Sequence, residues 1–363
     1  MSHLLVTGGA GFIGANFVHY WRQHHTADSV TVLDSLTYAG NRANLAGANS
    51  VQLVEADIRD TDVVENLLRD QNIDTIVHFA AESHVDRSIH GPAAFVETNV
   101  IGTMNLLMAA RAVWLSDGGK PHRFHHVSTD EVYGSLGATD PAFSETTPYA
   151  PNSPYSASKA ASDHLVRAWH HTYGLQVTTS NCSNNYGPYQ FPEKLIPLFL
   201  INALHGRPLP IYGDGMQIRD WLHVEDHCRG IDAVLKHGRI GETYCIGGGA
   251  ELPNITVIDT LCEAVDAAFR ADPSLAQRFP KAPAARGTAT ASLKTTVTDR
   301  PGHDRRYAID ETRAREELGY VPARDFATGF AATLAWYLGN EVWWRAILDG
   351  SYRSWVETNY AAR

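Results

Sequence analysis

A short stretch of the sequence, residues 127–134, carries side chains that suit proton transfer. It contains the hydroxyl of Thr129, followed directly by the carboxyl groups of Asp130 and Glu131. Two neighbouring carboxyl groups can divide acid and base roles, because the charge on one raises the pKa of the other. The stretch is therefore a candidate site for general acid–base catalysis.

A second candidate pair is Tyr155 and Lys159. The sequence predicts a helix from Pro154 to Gly174, since proline suits the first helical turn and glycine suits the exit. Residues four apart share one face of a helix, and an ammonium group beside a phenol stabilises the phenolate. Tyr155 is therefore predicted to transfer a proton. Because this spacing is common by itself, the interpretation depends on the motif near the N-terminus.

That motif is a glycine-rich turn containing Gly8, Gly11 and Gly14, between an apolar strand at residues 4–7 and a helix. Glycines here let the backbone approach a pyrophosphate at the helix N-terminus. A P-loop is excluded, because residues 15–16 are Ala-Asn where Lys-Ser/Thr is required. The next strand, residues 30–33, ends in Asp34, whose carboxylate can bind both ribose hydroxyls and repel a 2′-phosphate. The pattern favours NAD over NADP.

Further apolar runs at residues 51–54, 75–79 and 124–127 alternate with helical patterns, including one over 93–113. This alternation predicts an α/β fold with a doubly wound, parallel Rossmann sheet. Consecutive strand residues point to opposite faces. Asp130 and Glu131 can therefore reach one ligand only if the strand has ended by Asp130.

The pattern changes after residue 177 and predicts a smaller, discontinuous C-terminal substrate domain. The NAD-binding domain is assigned to residues 1–180 plus about 222–248, and the second domain to about 181–221 plus 249–363. Residues 181–189 are interpreted as a loop and 210–215 as a turn region. Residues 271–298 are interpreted as a surface excursion or a partly mobile flap. A helix is predicted after residues 193–195, and further helices over 225–235, 256–269, 311–318 and 326–338. The tryptophans after residue 342 are assigned to core or dimer packing.

Composition limits the function classes. The chain has 363 residues, 44% hydrophobic and 19% charged, with a net charge of −10 and no Lys/Arg cluster, which disfavours nucleic acid as a partner.

No uninterrupted apolar run approaches the ~20 residues of a membrane span, and the first apolar residues run straight into the glycine-rich turn, so a signal peptide is not expected. The four cysteines have no metal or redox spacing and are expected to be reduced. No bound metal is expected, and the cytoplasm is the expected location.

These motifs together resemble the extended short-chain dehydrogenase/reductase family. Residues 80–88, 129–134, 184–190 and 299–304 resemble its nucleotide-sugar 4,6-dehydratases in particular, over nearly the whole chain. The Thr-Asp-Glu triplet is the discriminating feature, because the related epimerases lack the acid pair. The resemblance implies a redox-neutral dehydration of dTDP-glucose with NAD as cofactor.

The same resemblance implies residue roles. Thr129, Asp130, Glu131, Tyr155 and Lys159 are the implied catalytic residues. The implied cofactor contacts are Gly8, Gly11, Phe12, Ile13, Gly14, Asp34, Ser35, Leu36, Thr37, Asp57, Ile58, Ala80, Ala81, Ser83, Thr98, Tyr155, Lys159 and Asn185. The implied substrate contacts are His84, Thr129, Asn184, Glu193, Lys194, Leu195, Pro210, Ile211, Tyr212, Arg219, Asn254 and His303. Ser35 departs from the family pattern, which often has Lys there, and residues 271–298 match poorly.

Alternatives stay open at this point. A dehydratase for another nucleotide or an epimerase uses the same fold, and a non-enzymatic NAD-sensing regulator is a third possibility. The presence of all five candidate catalytic residues disfavours the regulator. By family analogy, helices around 93–113 and 154–173 form the interface of a homodimer, and the implied pathway is dTDP-rhamnose or another deoxysugar.

Overall fold

The computed structural model describes residues 1–116, 119–299 and 303–348. Residues 300–302 of the motif at 299–304 lie outside the described residues. So does the tail after residue 348, with its last tryptophan, Trp355.

A seven-stranded parallel sheet forms the centre of the protein and confirms the predicted α/β fold. The strands are β1 (His3–Thr7), β2 (Ser29–Asp34), β3 (Val51–Glu55), β4 (Thr75–His78), β5 (Arg123–Thr129), β6 (Val177–Cys182) and β10 (Thr243–Ile246). Their order is β10-β6-β5-β4-β1-β2-β3. The strand order reverses beside β1, and the carboxyl ends of the strands at such a point are where doubly wound sheets bind ligands.

Helices cover both faces of this sheet, because its strands alternate apolar side chains between two cores. Leu5 packs into one core, while its neighbours Leu4 and Val6 pack into the other. The first face holds α2 (Thr61–Asp70), α5 (Thr103–Trp114) and α6 (Pro154–Tyr173), and the second holds α1 (Phe12–His24) and α8 (Val224–His237).

The helix predicted over 93–113 is a continuous run, Pro92–Trp114. It contains α4 (Pro92–Phe95), a π-helical stretch (Val96–Gly102) and α5, and α3 (Val85–His90) precedes it. By length and composition alone, its 23 residues could cross a membrane. The core helix of a soluble protein meets the same criteria of length and composition, and 44% of the most apolar window of this helix is buried inside the protein.

The rest of the described chain forms a second group of elements. A small sheet has the order β11 (Glu251–Pro253), β9 (Ile218–His223), β7 (Asn184–Tyr186), and β8 (Leu209–Tyr212) pairs with β12 (Lys294–Val297). The helices are α7 (Leu195–His205), α9 (Asn254–Ala271), α10 (Ser274–Arg278), α11 (Thr312–Leu318), α12 (Phe326–Gly339) and α13 (Glu341–Ile347). Most of these elements share one large apolar core. The division into two domains at the assigned bounds stays a prediction.

Three sequence interpretations need correction. Residues 184–186 are not loop but β7, and residues 209–212 include strand β8 rather than turn alone. The segment 271–298 is mostly exposed, as a surface excursion would be, but it is anchored, because Leu275, Phe279 and Ala282 are buried in the large core and β12 pairs in parallel with β8. These short strands are stabilised by distant partners, which local composition does not reveal.

The cysteines are all buried and free, as predicted. Trp344 is fully buried, and Trp343 packs against the same core, which confirms the packing role of these two tryptophans. Within the described ranges, no group of three or more His, Cys, Asp or Glu side chains could hold a metal ion.

Candidate active site

One cavity of about 610 Å³ lies at the carboxyl ends of the central strands and extends to the small sheet. Almost every residue predicted for the site lines it. On the cofactor side these are Gly8, Gly11, Phe12, Ile13, Gly14, Asp34, Ser35, Thr37, Asp57, Ile58, Ala80, Ala81, Ser83, Thr98 and Asn185. The five candidate catalytic residues and all twelve predicted substrate contacts also line this cavity.

Leu36 is the exception, since it is not among the described residues that line the cavity. It adopts a left-handed backbone conformation, with φ of 50°, and its N–H donates to Asp34 Oδ1 at 2.8 Å. Leu36 therefore supports a predicted contact residue.

The glycine-rich turn is shaped so that side chains would not fit. Gly8 has φ of +69°, and a Cβ atom there would lie 2.6 Å from the backbone nitrogen of Ala80. A Cβ on Gly14 would lie 2.3 Å from the carbonyl oxygen of Gly8. Helix α1 begins directly at Phe12, and its N-cap, Gly11, offers no side-chain cap. The first N–H groups of α1 are thus available for an anionic ligand, as a dinucleotide pyrophosphate requires.

Asp34 ends strand β2 beside this turn. Its Oδ2 accepts a hydrogen bond from the Ala10 N–H at 2.9 Å, and its Oδ1 accepts from Leu36. Burial raises the pKa of this carboxyl group, while the backbone N–H groups oppose that shift. Each carboxylate oxygen keeps a further lone pair, so the residue can still accept hydrogen bonds from ribose hydroxyls.

The acid pair lies where the sequence argument required. Strand β5 ends at Thr129, and Asp130–Tyr133 form a 3₁₀ turn, so Asp130 and Glu131 leave the alternation of the strand and both line the cavity. The Asp130 side chain is buried and accepts a hydrogen bond from Thr129 Oγ1 at 3.3 Å. Asp130 Oδ2 has no hydrogen-bond partner in the described part of the chain.

The electrostatics of this pair match the prediction. Burial raises the pKa of Asp130 well above its usual value, and the negative charges of Glu131 and Asp220 act in the same direction. Arg219 opposes the shift only in part. The raised pKa favours the protonated form of Asp130, which is the form that a general acid requires.

Tyr155 and Lys159 lie on α6, whose ends are well defined. Ser153 and Ser156 form a capping box at its start, and Gly174 ends it with φ of 77°. Both active-site side chains are buried. Lys159 Nζ donates to the carbonyl oxygen of Val127 at 2.9 Å, which fixes the ammonium group below the end of β5.

The pKa of Tyr155 is raised, whereas the sequence predicted that the neighbouring Lys159 would lower it. Burial raises it well above 10, and the neighbouring negative charge of Glu131 acts in the same direction. A hydrogen bond from Thr129 lowers it in part. Burial and a carboxylate oppose phenolate formation, and the spacing of Tyr155 and Lys159 in the sequence reveals neither of them.

The far side of the cavity is basic and polar. Arg219 is buried, donates to the carbonyl oxygens of Ile218 and Asp304, and lies 4.1 Å from the centre of the Tyr307 ring. Lys194 Nζ donates to the carbonyl oxygen of Ser83 at 3.1 Å. These two cations are held in the cavity wall.

Asn184 lies on β7 near these cations. Its buried Oδ1 lacks a hydrogen-bond partner among the residues that the structure describes. A buried acceptor without a partner is costly, and a ligand donor in the cavity would satisfy it.

Two predicted substrate contacts are engaged with protein groups. Glu193 Oε2 accepts from Arg87 Nε at 3.0 Å, and burial raises the pKa of its carboxyl group. His303 Nδ1 lies 2.5 Å from Asp299 Oδ1, and its ring stands edge-on to Tyr212 with centroids 6.0 Å apart.

Several cavity residues were missed from the sequence, among them Arg59, Glu82, Cys182, Phe191, Trp221 and Tyr307. Arg59 could have been predicted from the sequence, because it lies two residues after Asp57. In the structure it forms an ion pair with Asp57. Tyr307 had none, because its contact with Arg219 joins segments that are distant in the chain.

Comparisons with known proteins agree with this geometry. A family model described as GDP-mannose 4,6 dehydratase matches residues 5–333. The dTDP-glucose 4,6-dehydratase of Xanthomonas campestris pv. campestris (strain B100) is 55% identical over 359 residues, covering 97% of this chain and 98% of that protein. The dTDP-glucose 4,6-dehydratase 1 of Escherichia coli (strain K12) is 50% identical, covering 99% of each chain.

Solved structures give the same result. DesIV, a dTDP-glucose 4,6-dehydratase from Streptomyces venezuelae crystallised with NAD, superposes with a TM-score of 0.84 at 48% identity, covering 95% of this chain and 99% of that one. The UDP-glucose 4-epimerase of Thermus thermophilus, in complex with NAD, has a TM-score of 0.79 at 28% identity, covering 93% and 99%.

Proposed function

The chain belongs to the nucleotide-sugar dehydratase family of the GDP-mannose 4,6 dehydratase model, and within it to the dTDP-glucose 4,6-dehydratases, and we propose that it converts dTDP-glucose to dTDP-4-keto-6-deoxyglucose. The observation that carries this proposal is the buried Asp130, with its raised pKa, beside Glu131 in the same cavity as Tyr155 and Lys159. An epimerase needs a proton-transfer group at C4 but no acid pair to remove water.

The proposed cofactor is NAD. Three features fit a dinucleotide whose ribose lacks a 2′-phosphate. They are the glycine-rich turn, in which a Cβ atom would collide, the open N-terminus of α1, and the carboxylate of Asp34. When bound, the cofactor supplies a hydride acceptor at C4, a hydride donor at C6 and the positive charge of the oxidised nicotinamide ring.

Tyr155 is the proposed base for the first step, in which it takes the proton of the sugar 4-hydroxyl. Thr129 lines the cavity beside Tyr155, and its hydroxyl, which donates to Asp130 in this structure, would turn to donate to the same oxygen when the sugar is bound. Lys159 holds a positive charge beneath the end of β5 and favours the phenolate.

The acid pair acts in the second step. The ketone formed at C4 acidifies the C5 proton, which Glu131 removes as a general base. Asp130 donates its proton to the 6-hydroxyl, which leaves as water. The raised pKa of Asp130 supports this assignment, because a carboxyl group with an ordinary pKa would be ionised at neutral pH.

Substrate binding is assigned to the far side of the cavity. Arg219 and Lys194 neutralise the diphosphate, and Asn184 and Asn254 provide hydrogen bonds. The nucleobase is proposed to lie against Pro210, Ile211 and Tyr212, with His303 near the phosphate or ribose.

The assembly and the location are proposed from the exposed apolar side chains and from the cysteines. A homodimer would cover apolar side chains that the run Pro92–Trp114 exposes, namely Val96, Ile101 and Met108. The four free cysteines agree with a reducing compartment, so we propose the cytoplasm. The product fits a role in deoxysugar synthesis, with dTDP-rhamnose as the proposed pathway.

One assay tests the proposal. The purified protein is incubated separately with dTDP-, UDP-, CDP- and GDP-glucose, and the products are identified by mass spectrometry for loss of water and by NMR for the configuration at C4, together with any bound nicotinamide. We expect loss of water from dTDP-glucose without consumption of added cofactor. Inversion at C4 with no loss of water would identify an epimerase, and a requirement for stoichiometric NADPH would overturn the cofactor assignment.

A further inference from the structure

A 3₁₀ turn, Arg42–Leu45, lies beside the glycine-rich turn and carries a buried asparagine, Asn44. Both ends of its amide are used. Asn44 Nδ2 donates to the carbonyl oxygen of Ala10 at 2.8 Å, and Asn44 Oδ1 accepts from Trp343 Nε1 at 2.7 Å. A single side chain therefore joins the glycine-rich turn to helix α13.

The residue held in this way, Ala10, lies between Gly8 and Gly11. Its carbonyl oxygen also accepts from the Asn41 N–H at 3.0 Å, and its own N–H donates to Asp34 Oδ2. Fixing Ala10 at both of its polar groups orients the peptide that leads into Gly11 and α1. The same bonds position the Asp34 carboxylate, so the link reaches two parts of the proposed dinucleotide site.

The other end of the link is anchored in an aromatic cluster formed by Tyr189, Trp336, Tyr337 and Trp343. The Trp343 ring lies 5.0 Å from Trp336, 5.8 Å from Tyr189 and 6.3 Å from Tyr337, measured between centroids. Tyr189 has φ of 63°, a backbone conformation that a large side chain rarely adopts without such packing.

A second contact connects the same cluster to the same turn. The His19 ring on α1 stacks on Tyr189 with centroids 5.6 Å apart and planes 10° apart. His19 Nε2 lies 2.8 Å from the carbonyl oxygen of Asn44. The 3₁₀ turn is therefore held against the aromatic cluster from two directions.

We propose that Asn44 and Trp343 are positioning residues through which helix α13 sets the affinity of the glycine-rich turn for its dinucleotide. The inference rests on the proposed binding of NAD. Without the Trp343 N–H, the Asn44 amide loses the partner that fixes which end faces Ala10, and the buried Oδ1 is left unsatisfied. The glycine-rich turn then spends a smaller fraction of the time in its binding conformation. The affinity for the dinucleotide falls in proportion to that fraction.

The chain offers a matched control for this link. Trp344 follows Trp343 in α13, is fully buried, and donates its Nε1–H to the Tyr337 carbonyl oxygen at 2.9 Å. Replacing either tryptophan by phenylalanine keeps an aromatic ring and removes one indole N–H. Only Trp343→Phe breaks the connection to Asn44.

The experiment measures Kd for NAD+ and for dTDP by calorimetry on nucleotide-stripped protein. We expect Trp343→Phe to weaken NAD+ binding about 3- to 10-fold, the usual effect of one buried hydrogen bond. Binding of dTDP should change less than about 2-fold, and Trp344→Phe should leave NAD+ affinity unchanged while lowering Tm. A merely structural role would move the two variants alike.

A double-variant comparison makes the inference stricter. Asn44→Ala should weaken NAD+ binding at least as much as Trp343→Phe, and combining them should add no further loss, because both remove one link. Asn44→Asp, which keeps the acceptor for Trp343 but loses the donor to Ala10, should also weaken binding. Additive losses, or equal NAD+ affinities for Trp343→Phe and Trp344→Phe, would overturn the inference. Absence of NAD+ binding by the parent protein would instead overturn the proposed cofactor.

Discussion

Replacing Asp130 by asparagine tests the dehydration step most directly. Asp130 is 1% exposed, and its pKa is raised well above the usual value by burial, then by Glu131 and Asp220. Asparagine is a neutral group of the same size, and the raised pKa of Asp130 favours the neutral form that asparagine replaces. The side-chain oxygen of asparagine can still accept the hydrogen bond from the Thr129 hydroxyl. Asp130 Oδ2 has no hydrogen-bond partner among the described residues, so the substitution breaks no bond there.

The expected magnitudes separate catalysis from stability. A neutral isosteric substitution that breaks no bond should change the free energy of unfolding by less than about 1 kcal/mol. Loss of a general acid lowers kcat by about 10²–10⁴, which corresponds to about 3–5 kcal/mol in the activation barrier. Oxidation at C4 should still proceed, because Tyr155 and Lys159 are unchanged.

The assay is a single turnover with dTDP-glucose. NADH absorbance should rise and persist, and mass analysis should show a 4-keto sugar that has kept its 6-hydroxyl. Asp70→Asn, an exposed carboxyl-to-amide change on α2 outside the cavity, is the matched control and should behave as the parent. Release of dehydrated product by Asp130→Asn at the parent rate would refute the acid role. Loss of NAD+ reduction itself would show that Asp130 positions the substrate for oxidation.

Three further predictions concern other groups. Tyr155→Phe should lower kcat by about 10²–10⁴ and abolish the rise in NADH absorbance, with dTDP affinity nearly unchanged; near-parent turnover would contradict its role as base. Burial, the largest cause in each case, lowers the pKa of His126 and His223 to about 4 and of His227 to about 3. The unfolded chain binds these protons first, so the free energy of unfolding should fall as pH drops below about 6.5 towards 4, by up to about 1.4 kcal/mol per pH unit for each histidine. Urea unfolding at several pH values measures this fall, and a flat profile would count against the burial of these rings. A thiol reagent should not modify Cys228, Cys245 or Cys262 in the folded protein and should modify all four cysteines after denaturation, whereas fast labelling of any of these three in the native protein would contradict their burial.

Much of the catalytic half was predictable from the sequence, for a physical reason. Buried parallel strands are short apolar runs, and their carboxyl ends meet at one edge of the sheet. Thr129 and Asp34 each end such a run, and Gly8, Gly11 and Gly14 mark the turn that follows another. The local sequence therefore predicted each strand or turn and also the edge of the sheet at which its functional residues lie.

The second group of elements was harder, because its strands are defined by their partners. β8 pairs with β12 across about 80 residues, and β7 pairs with β9 although its own sequence, Asn184–Tyr186, is polar. The burial of Leu275 and Phe279 depends equally on α9 and α13 packing against them. The pKa of Tyr155 was missed for a similar reason, since burial and Glu131 are properties of the folded site.

The position of β10 has a consequence for how the protein is made. This strand forms the edge of the central sheet beside β6, but in the chain it follows the whole excursion through β7, β8 and β9. A nascent chain that has released β6 from the ribosome presents that strand as an unpaired edge until residue 246 emerges. All six residues of β6 are buried in the finished protein, so this open edge is a template for association with other chains. Synthesis through the excursion is therefore an interval in which the nascent chain exposes a strand edge that other chains can pair with.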